Sequence, residues 1–572
     1  MPYSFRPKLA MDKSALDQGL RTFLDCFYQW EQERPEQVFL RQPFGDTWRE
    51  ITYAEAGQMA RRICSAIQQL GLEPGDHIGI LSKNCYHWII ADLAIMMGRF
   101  VSVPFYASLP KAQLAEVIEL SDIKLLFVGK LDSWGDKGEA IPSSLEVIRF
   151  PHYAGNAQVE LGHDWEECLA QNEPVAGYPQ ADIDDLWTIL FTSGTTGTPK
   201  GVMHSYRNPA VVFRIEELTN FTGTLRLKQH KWFSYLPLNH VAERIGVEAN
   251  CLANGGSISF AESIDTFADN IRSVQPSFIF AVPRIWTKFY QGVTAKIPAR
   301  VLNVLFRIPL LGPFVKSYLR KAMGLGDVEI AGTGAAITPA YLKRWYKALG
   351  IHLVEAYGMT EVCGSICNGP QPDAPADAVG TPVPFCEVRI DSETQEILMR
   401  APYQMQGYYK APEKTAEVLR DGWIHSGDRG SMDAEGYVRV IGRVKDAFKT
   451  SKGQFVVPNP IERRLAANEF IEQVCVVGLG CSQPIALLNL SAGGLNSPKE
   501  TVEHSLNQAL NQVNDGMARY QQVSTLIIDP QPWTEHNRLV TPTLKVRRTE
   551  MDKHFGGQYE EWHQAPEQII WK

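Results

Sequence analysis

No hydrophobic run in this chain is long and pure enough to cross a bilayer. A spanning helix needs roughly eighteen or more uncharged residues, and the longest apolar tract, residues 88–110, is broken by Asp92 and Arg99. That tract reads instead as a core helix followed by a strand. Excess positive charge is missing too. The 572 residues carry 56 Lys and Arg against 64 Asp and Glu, a net charge of −8, which leaves no electrostatic case for nucleic acid as a partner. The ten cysteines are scattered without metal-ligand spacing. Cys363 and Cys367 form one pair with no second pair or histidine cluster beside it, so buried reduced thiols are the expected state. Residues 1–18 lack the apolar core of a signal peptide. Internal repeats and low-complexity tracts are absent as well, and the expectation is a cytoplasmic protein.

What is present is a globular composition, 44% hydrophobic and 21% charged, in a chain long enough for roughly three or four structural units. Thr52 and Glu55 have capping-box spacing at the head of a helix over residues 54–70. Pro74-Gly75-Asp76 then turns into a strand at 77–81. Strand-like runs recur at 101–105, 124–128, 186–191, 257–260, 278–282 and 352–356, with helical segments between several of them, a pattern of α/β layers. The texture changes at Gly442-Arg443-Val444-Lys445-Asp446. Beyond it come a polar stretch at 449–454, a helix-like segment at 459–467, a buried strand at 472–477 and a Lys/Arg-rich tail. The expected fold class is α/β: a large body of mixed α/β layers over residues 1–443 and a smaller α+β C-terminal lid over 444–572.

The most specific string is Leu190-Phe-Thr-Ser-Gly-Thr-Thr-Gly-Thr-Pro-Lys-Gly201. Its hydroxyls, Thr192, Ser193, Thr195, Thr196 and Thr198, alternate with Gly194, Gly197 and Gly201, and Pro199-Lys200 closes the loop. Backbone N–H groups, hydroxyls and one ammonium can therefore converge on a polyphosphate. The glycine spacing is neither that of P-loop NTPases nor that of dinucleotide folds. A hydroxyl cluster alone is usually only a turn, so the other strings matter. In Tyr357-Gly-Met-Thr-Glu361 an aromatic face can stack on a purine, Gly358 permits close backbone approach, Thr360 can donate to a phosphate, and Glu361 is a hard ligand for Mg²⁺. Asp428, in Gly422-Trp-Ile-His-Ser-Gly-Asp428, can accept both ribose hydroxyls, and Arg443 can bind the sugar or the α-phosphate. Thr541-Pro-Thr-Leu-Lys545 presents a lysine just after a Pro-bounded turn.

In this order and spacing the strings resemble the acyl-adenylate-forming superfamily of acyl-CoA synthetases, luciferases and peptide-synthetase adenylation domains, over roughly residues 52–548. The resemblance implies ATP, CoA and Mg²⁺ as co-substrates and cofactor. It implies that Thr192, Ser193, Gly194, Thr195, Thr196, Gly197 and Lys200 surround the phosphates, and that Gly334, Ala335, Tyr357, Gly358 and Thr360 form the AMP site with Asp428 and Arg443. By the same resemblance Glu361 holds the metal, Lys545 lies between substrate carboxylate and α-phosphate, and Lys445 is the hinge. The chemistry has its own logic: a carboxylate attacking an α-phosphate brings negative charge onto negative charge, and Mg²⁺ with a mobile ammonium neutralises what develops. A rotating C-terminal domain then lets one body serve both half-reactions.

Ser234-Tyr-Leu-Pro-Leu-Asn-His-Val-Ala-Glu-Arg244, Ala281-Val-Pro-Arg-Ile-Trp286 and residues 448–458 look like the long-chain fatty acyl-CoA synthetase branch. In that setting His240, counted with the catalytic positions, lines the acyl entrance; a hydrogen-bonded histidine at a strand end is the plainer alternative. Trp232 and Phe233 read as core aromatics. Thr333, Ala336 and Val362 depart from the branch's usual residues and leave fine substrate selection open. The leading expectation is an AMP-forming medium- or long-chain fatty acid:CoA ligase. Two alternatives stand beside it. One is an adenylating ligase for a ring-containing, branched or hydroxylated acid, or one loading a carrier protein. The other is a nucleotide- or lipid-binding regulatory protein without turnover, against which the retention of Lys545, Glu361, Asp428 and Arg443 argues. Finally, residues 291–326 contain no Asp or Glu, while Lys296, Arg300, Arg307, Lys316, Arg320 and Lys321 alternate with apolar residues. That segment fits peripheral contact with the inner face of a membrane, a basic helix packed on the body, or a site for the phosphates of CoA.

Overall fold

The computed structural model describes residues 13–192, 199–371, 373–535, 537–541 and 545–572. An eight-stranded sheet runs edge to edge through Gly407–Tyr408, Lys200–Ser205, Leu186–Thr192, Val101–Phe105, His77–Leu81, Ile123–Val128, Glu146–Arg149 and His163–Asp164. A nine-stranded sheet has Leu353–Tyr357, Ile330–Gly334, Phe278–Ala281, Lys231–Ser234, Ser257–Phe260 and Val38–Phe44 through its middle. Pairing at the centre of both sheets is parallel. Parallel sheets are covered on both faces, and Val101–Phe105 is accordingly buried at every residue.

The helix Tyr86–Met97 shows how the two sheets meet. All of its residues are buried, and a helix that is apolar all round needs partners all round. It packs on Val101–Phe105 of one sheet and Val38–Phe44 of the other. The neighbouring helix Tyr53–Gln69 is capped by Thr52 and Glu55 in the reciprocal arrangement that their spacing predicts. The strands His77–Leu81 and Val101–Phe105 fall on the expected residues, and Ile123–Val128, Phe278–Ala281 and Leu353–Tyr357 shift by one position at one or both ends.

A five-stranded sheet follows, in which Val438–Arg443 pairs with Trp423–Met432 and sets Arg443 opposite Asp428. Past it come the helix Pro458–Leu465 and a mixed four-stranded sheet of Ile471–Val477, Ile485–Leu490, Leu526–Ile528 and Ile569–Trp571. These elements close over a core of their own that includes Val476, Leu488, Leu506, Leu510 and Ile528. The fold is α/β with a smaller C-terminal α+β unit, as the sequence pattern implies.

At the heart of the body sits a guanidinium. Arg244, wholly buried, opens the π-helix Arg244–Ala249. It pairs with Asp92 at 2.9 Å and Glu248 at 3.4 Å. Its charge lies 5.1 Å from the ring centre of Trp88 and 4.4 Å from that of Trp187. Burial pushes the Glu248 carboxyl well above its ordinary value, and Ser102 donates a 2.5 Å hydrogen bond to Asp92. Removing one member of a buried ion cluster leaves the others uncompensated, at a cost of about 3–5 kcal/mol, whereas an apolar replacement of the whole group is often neutral. Arg244→Ala should therefore lower the urea midpoint sharply, and Asp92→Leu/Arg244→Met/Glu248→Leu should recover most of the loss. An unchanged midpoint for Arg244→Ala would show that the cluster holds nothing together.

Candidate active site

One cavity of about 1020 Å³ collects most of the sequence-predicted residues. Thr192, Lys200, His240, Ala335, Gly358, Thr360, Glu361, Arg443, Lys445 and Lys545 all line it. Its size is at the upper end for a single-ligand pocket, leaving room for more than one reactant. Thr192 and Lys200 are register partners at the ends of their strands, with the Thr192 hydroxyl donating to the Lys200 carbonyl at 3.4 Å. Between them Ser193, Gly194, Thr195, Thr196 and Gly197 lie outside the described residues.

Glu361 sits in the single turn Thr360–Val362 that follows the strand Leu353–Tyr357. The Tyr408 hydroxyl donates to its Oε1 at 2.6 Å, which leaves Oε2 as the oxygen not engaged by Tyr408. The turn is pinned from behind by His204, whose Nε2 donates to the Thr360 carbonyl at 2.7 Å. Burial pushes His204 down to about 4, so that ring is neutral. No cluster of three potential metal ligands exists among the described residues. A lone oriented carboxylate fits Mg²⁺, which usually takes one or two protein carboxylates together with substrate phosphates and water. Glu361 is the residue that would hold it.

Tyr357, Asp428 and Arg443 come together from three strands. The Tyr357 hydroxyl donates to Asp428 Oδ2 at 2.8 Å, and Arg443 Nε meets Oδ1 at 2.9 Å. Burial raises the Asp428 carboxyl and Arg443 pulls it back. The carboxylate is thus held on both oxygens behind the Arg443 surface of the cavity. Gly334 and Gly358 are explained by crowding. A Cβ on Gly334 would lie 2.6 Å from the Ala356 carbonyl, and one on Gly358 would lie 2.5 Å from that of Gly364. Gly334 serves the packing of its strand, while the next residue, Ala335, reaches the cavity in a left-handed conformation at φ 64°.

Lys545 enters from the C-terminal unit, where the Thr541 N–H donates to the Lys545 carbonyl at 2.8 Å. The residue is exposed and lines the cavity. Burial pushes its ammonium down to about 8, Arg443 adds to the shift, and Asp428 opposes it. His240 caps a short helix, its Nδ1 accepting the Ala242 N–H at 3.2 Å, so its proton resides on Nε2. Burial and the nearby Lys545 hold it at about 4. Lys445 lines the cavity just past Arg443. Next to it Asp446 is tied at 2.7 Å to Arg548, which also holds the Val476 carbonyl and Glu462.

Sequence reading missed Tyr408 and His204, which orient Glu361 and its turn. Neither stands near Glu361 in the chain, so no local spacing reveals them. It also missed the apolar end of the cavity, where Val212, Phe213 and Ile215 of the helix Arg207–Thr219 face Ile245, Phe278, Phe280 and Ile330. Those residues come from separate elements whose assembly is not a motif.

A cavity lined both by apolar side chains and by Lys200, Glu361 and Arg443, with Lys545 reaching it from a second unit, suits an adenylate-forming enzyme. Residues 27–409 match the AMP-binding enzyme family, and residues 445–566 match the AMP-binding enzyme C-terminal domain. Long-chain-fatty-acid--CoA ligase 5 of Rattus norvegicus is 30% identical, with 91% of this chain and 85% of that one aligned. Long chain acyl-CoA synthetase 2 of Arabidopsis thaliana is 28% identical over 89% and 86%. The fold resembles that of the A domain of carboxylic acid reductase from Segniliparus rugosus, solved with AMP and a co-purified carboxylic acid. That match has a TM-score of 0.77 and 22% identity, covering 96% of this chain and 95% of that one. The chain belongs to the AMP-binding enzyme family, in the branch of the long-chain acyl-CoA synthetases, and is an AMP-forming acid–CoA ligase.

The lowered Lys545 gives a directional test. Competitive labelling of amines in the ligand-free protein should place its midpoint near pH 8, below the ordinary lysine range near 10.4. The ammonium is lost as pH rises through that midpoint, so kcat/KM for pyrophosphate release without CoA should fall there, while the kcat limb moves higher because bound phosphate favours the charged form. A labelling midpoint above pH 10 would mean that the ammonium is not enclosed.

Proposed function

We propose that the protein is an ATP- and Mg²⁺-dependent medium- or long-chain fatty acid:CoA ligase, with residues 1–443 as the catalytic body and 444–572 as a mobile unit. The observation that carries the chain-length reading is the continuity of one cavity from Glu361, His240 and Lys545 to the apolar residues Val212, Phe213, Ile245, Phe278, Phe280 and Ile330. An acyl chain in that pocket leaves its carboxylate at the polar end. The names of the relatives from Rattus norvegicus and Arabidopsis thaliana support the same reading.

The residues divide the work in two steps. In the first, a carboxylate oxygen attacks the α-phosphorus of ATP, and the bond to pyrophosphate breaks. The Lys545 ammonium, beside Arg443, stabilises negative charge on the oxygens that approach each other. Thr192 and Lys200 meet the phosphates, Asp428 and Arg443 the ribose, and Tyr357 the adenine. Glu361 would hold Mg²⁺, which when bound would supply further charge neutralisation at the phosphates. His240, neutral with its proton on Nε2, lines the entrance as a hydrogen-bond donor. In the second step the CoA thiolate attacks the acyl carbon and AMP leaves. Lys445 acts as the pivot that withdraws Lys545 and brings another face of the C-terminal unit to the site.

A second reading, a hydroxylated or ring-containing acid, draws support from Thr222, Thr224 and Asn250 lining the same cavity. A panel of acids separates the two. Each buried CH₂ contributes about 0.8 kcal/mol, so kcat/KM should climb with chain length, peak at roughly C8 to C18 and leave acetate a poor substrate. Equal values for acetate and palmitate would overturn the proposal, and a maximum at a hydroxy- or aryl acid would favour the second reading.

The half-reactions can also be taken apart. Lys545→Ala should lose acyl-adenylate formation by on the order of a hundredfold while still converting supplied acyl adenylate and CoA to thioester. Lys445→Pro, which locks φ at the pivot, should do the reverse. Pyrophosphate release and single-turnover thioester formation read the two arms. If both variants lose both steps equally, the rotation has no support.

A further inference from the structure

The acid-free stretch 291–326 forms the helices Ala299–Leu305 and Leu311–Ala322, joined by a short connection. One stripe of this pair faces inward: Leu302, Phe306, Leu319 and Met323 are buried with Ile271 and Trp286. A surface helix normally has one apolar stripe. This pair has a second one facing solvent. Val304 is 63% exposed, Leu310 93%, Phe314 70% and Tyr318 65%. Leu310 holds a left-handed backbone at φ 65°, a strained conformation for a non-glycine residue, and its side chain gains no burial in return. Elsewhere among the described residues exposed large hydrophobics stand singly along the chain.

The charges within this segment are of one sign. Lys296, Arg300, Arg307 and Lys321 are exposed, with no Asp or Glu among them, in a chain whose net charge is −8. Helical spacing puts Lys321 on the stripe of Leu311, Phe314 and Tyr318, and Arg300 on that of Val304, while Arg307 follows in the turn just past the first helix. The other two cations are engaged within the protein. Arg320 donates to the carbonyls of Gly326 and Val328 at 3.3 and 3.0 Å, and Lys316 lies 5.5 Å from the centre of the Phe306 ring. None of residues 291–326 lines the active-site cavity, so a role in holding CoA phosphates at that site is not supported.

We propose that this helix pair docks on an anionic phospholipid bilayer, with Leu310 and Phe314 entering the acyl boundary and Arg300, Arg307 and Lys321 meeting headgroup phosphates. An apolar tip with a basic rim is the chemistry of interfacial helices. No helix among the described residues is long and apolar enough to cross a membrane, so the contact is peripheral. The acidic remainder of the chain is repelled by the same lipid surface, which orients the molecule with this face down.

Flotation of the full chain with vesicles of phosphatidylcholine containing about one-third phosphatidylglycerol tests this. The wild type should float with them, should not float with pure phosphatidylcholine, and should be released as salt is raised. Leu310→Asp/Phe314→Asp should abolish flotation, and Arg300→Gln, Arg307→Gln and Lys321→Gln should each lower the partition coefficient about fivefold. Unchanged turnover of a short soluble acid without lipid confirms that each variant is folded, and Phe314→Ser gives a second, milder apolar loss. A wild type that stays unbound, or tip variants that float as the wild type does, overturns the proposal. So does a lipid-free dimer that Leu310→Asp/Phe314→Asp dissolves, which would give the patch to a second copy of this chain.

Discussion

One buried guanidinium couples the parts of the catalytic body. Arg244 begins the π-helix that supplies Ile245 to the apolar wall of the cavity. It pairs with Asp92 on the helix between the two large sheets and lies against Trp187, on the strand that ends at Thr192. The apolar wall of the cavity, the sheet interface and the strand ending at Thr192 therefore share one electrostatic centre. Such a cluster is weak evidence for net stability, because desolvation offsets much of the attraction. What it does impose is register between the π-helix and the helix carrying Asp92, since neither can slide without parting Arg244 from that carboxylate.

A second electrostatic balance governs the site. The ammonium of Lys545 is drawn by Asp428, repelled by Arg443 and penalised by burial, and the sum leaves it near 8. A fully solvated lysine would keep its charge at any working pH but would contribute less in a cleft open to water. The Arg548 contacts with Asp446, Glu462 and the Val476 carbonyl tie the chain just after Lys445 to the C-terminal unit.

Much of this was legible before the fold was known, and for identifiable reasons. Thr52 with Glu55, and the turn at Pro74-Gly75-Asp76, are local devices whose chemistry acts within a few residues. The phosphate-loop string and the Tyr357 to Glu361 turn carry dense polar information in short spans, which is why they could be assigned roles from sequence. Gly334 stands in the AMP site that the resemblance implies, and what the sequence does not reveal is that a side chain there would also meet the Ala356 carbonyl of the neighbouring strand. Arg320 was read as a surface cation, yet its guanidinium holds backbone carbonyls beyond the end of its own helix. In both cases the residue type was visible and its partner was not.

The sequence by itself determined the α/β class, the order of the reactive strings and the absence of acidic residues across 291–326, because each depends on residue type and short spacing. Tertiary structure decided the rest. Tyr408 reaches Glu361 across 47 positions, and Tyr357, Asp428 and Arg443 meet only because strand register sets Asp428 against Arg443 and folds both over Tyr357. The shifts of Lys545 and His240 belong to the same category. They arise from burial between elements far apart in the chain, and desolvation is a property of the enclosure, which no stretch of sequence contains.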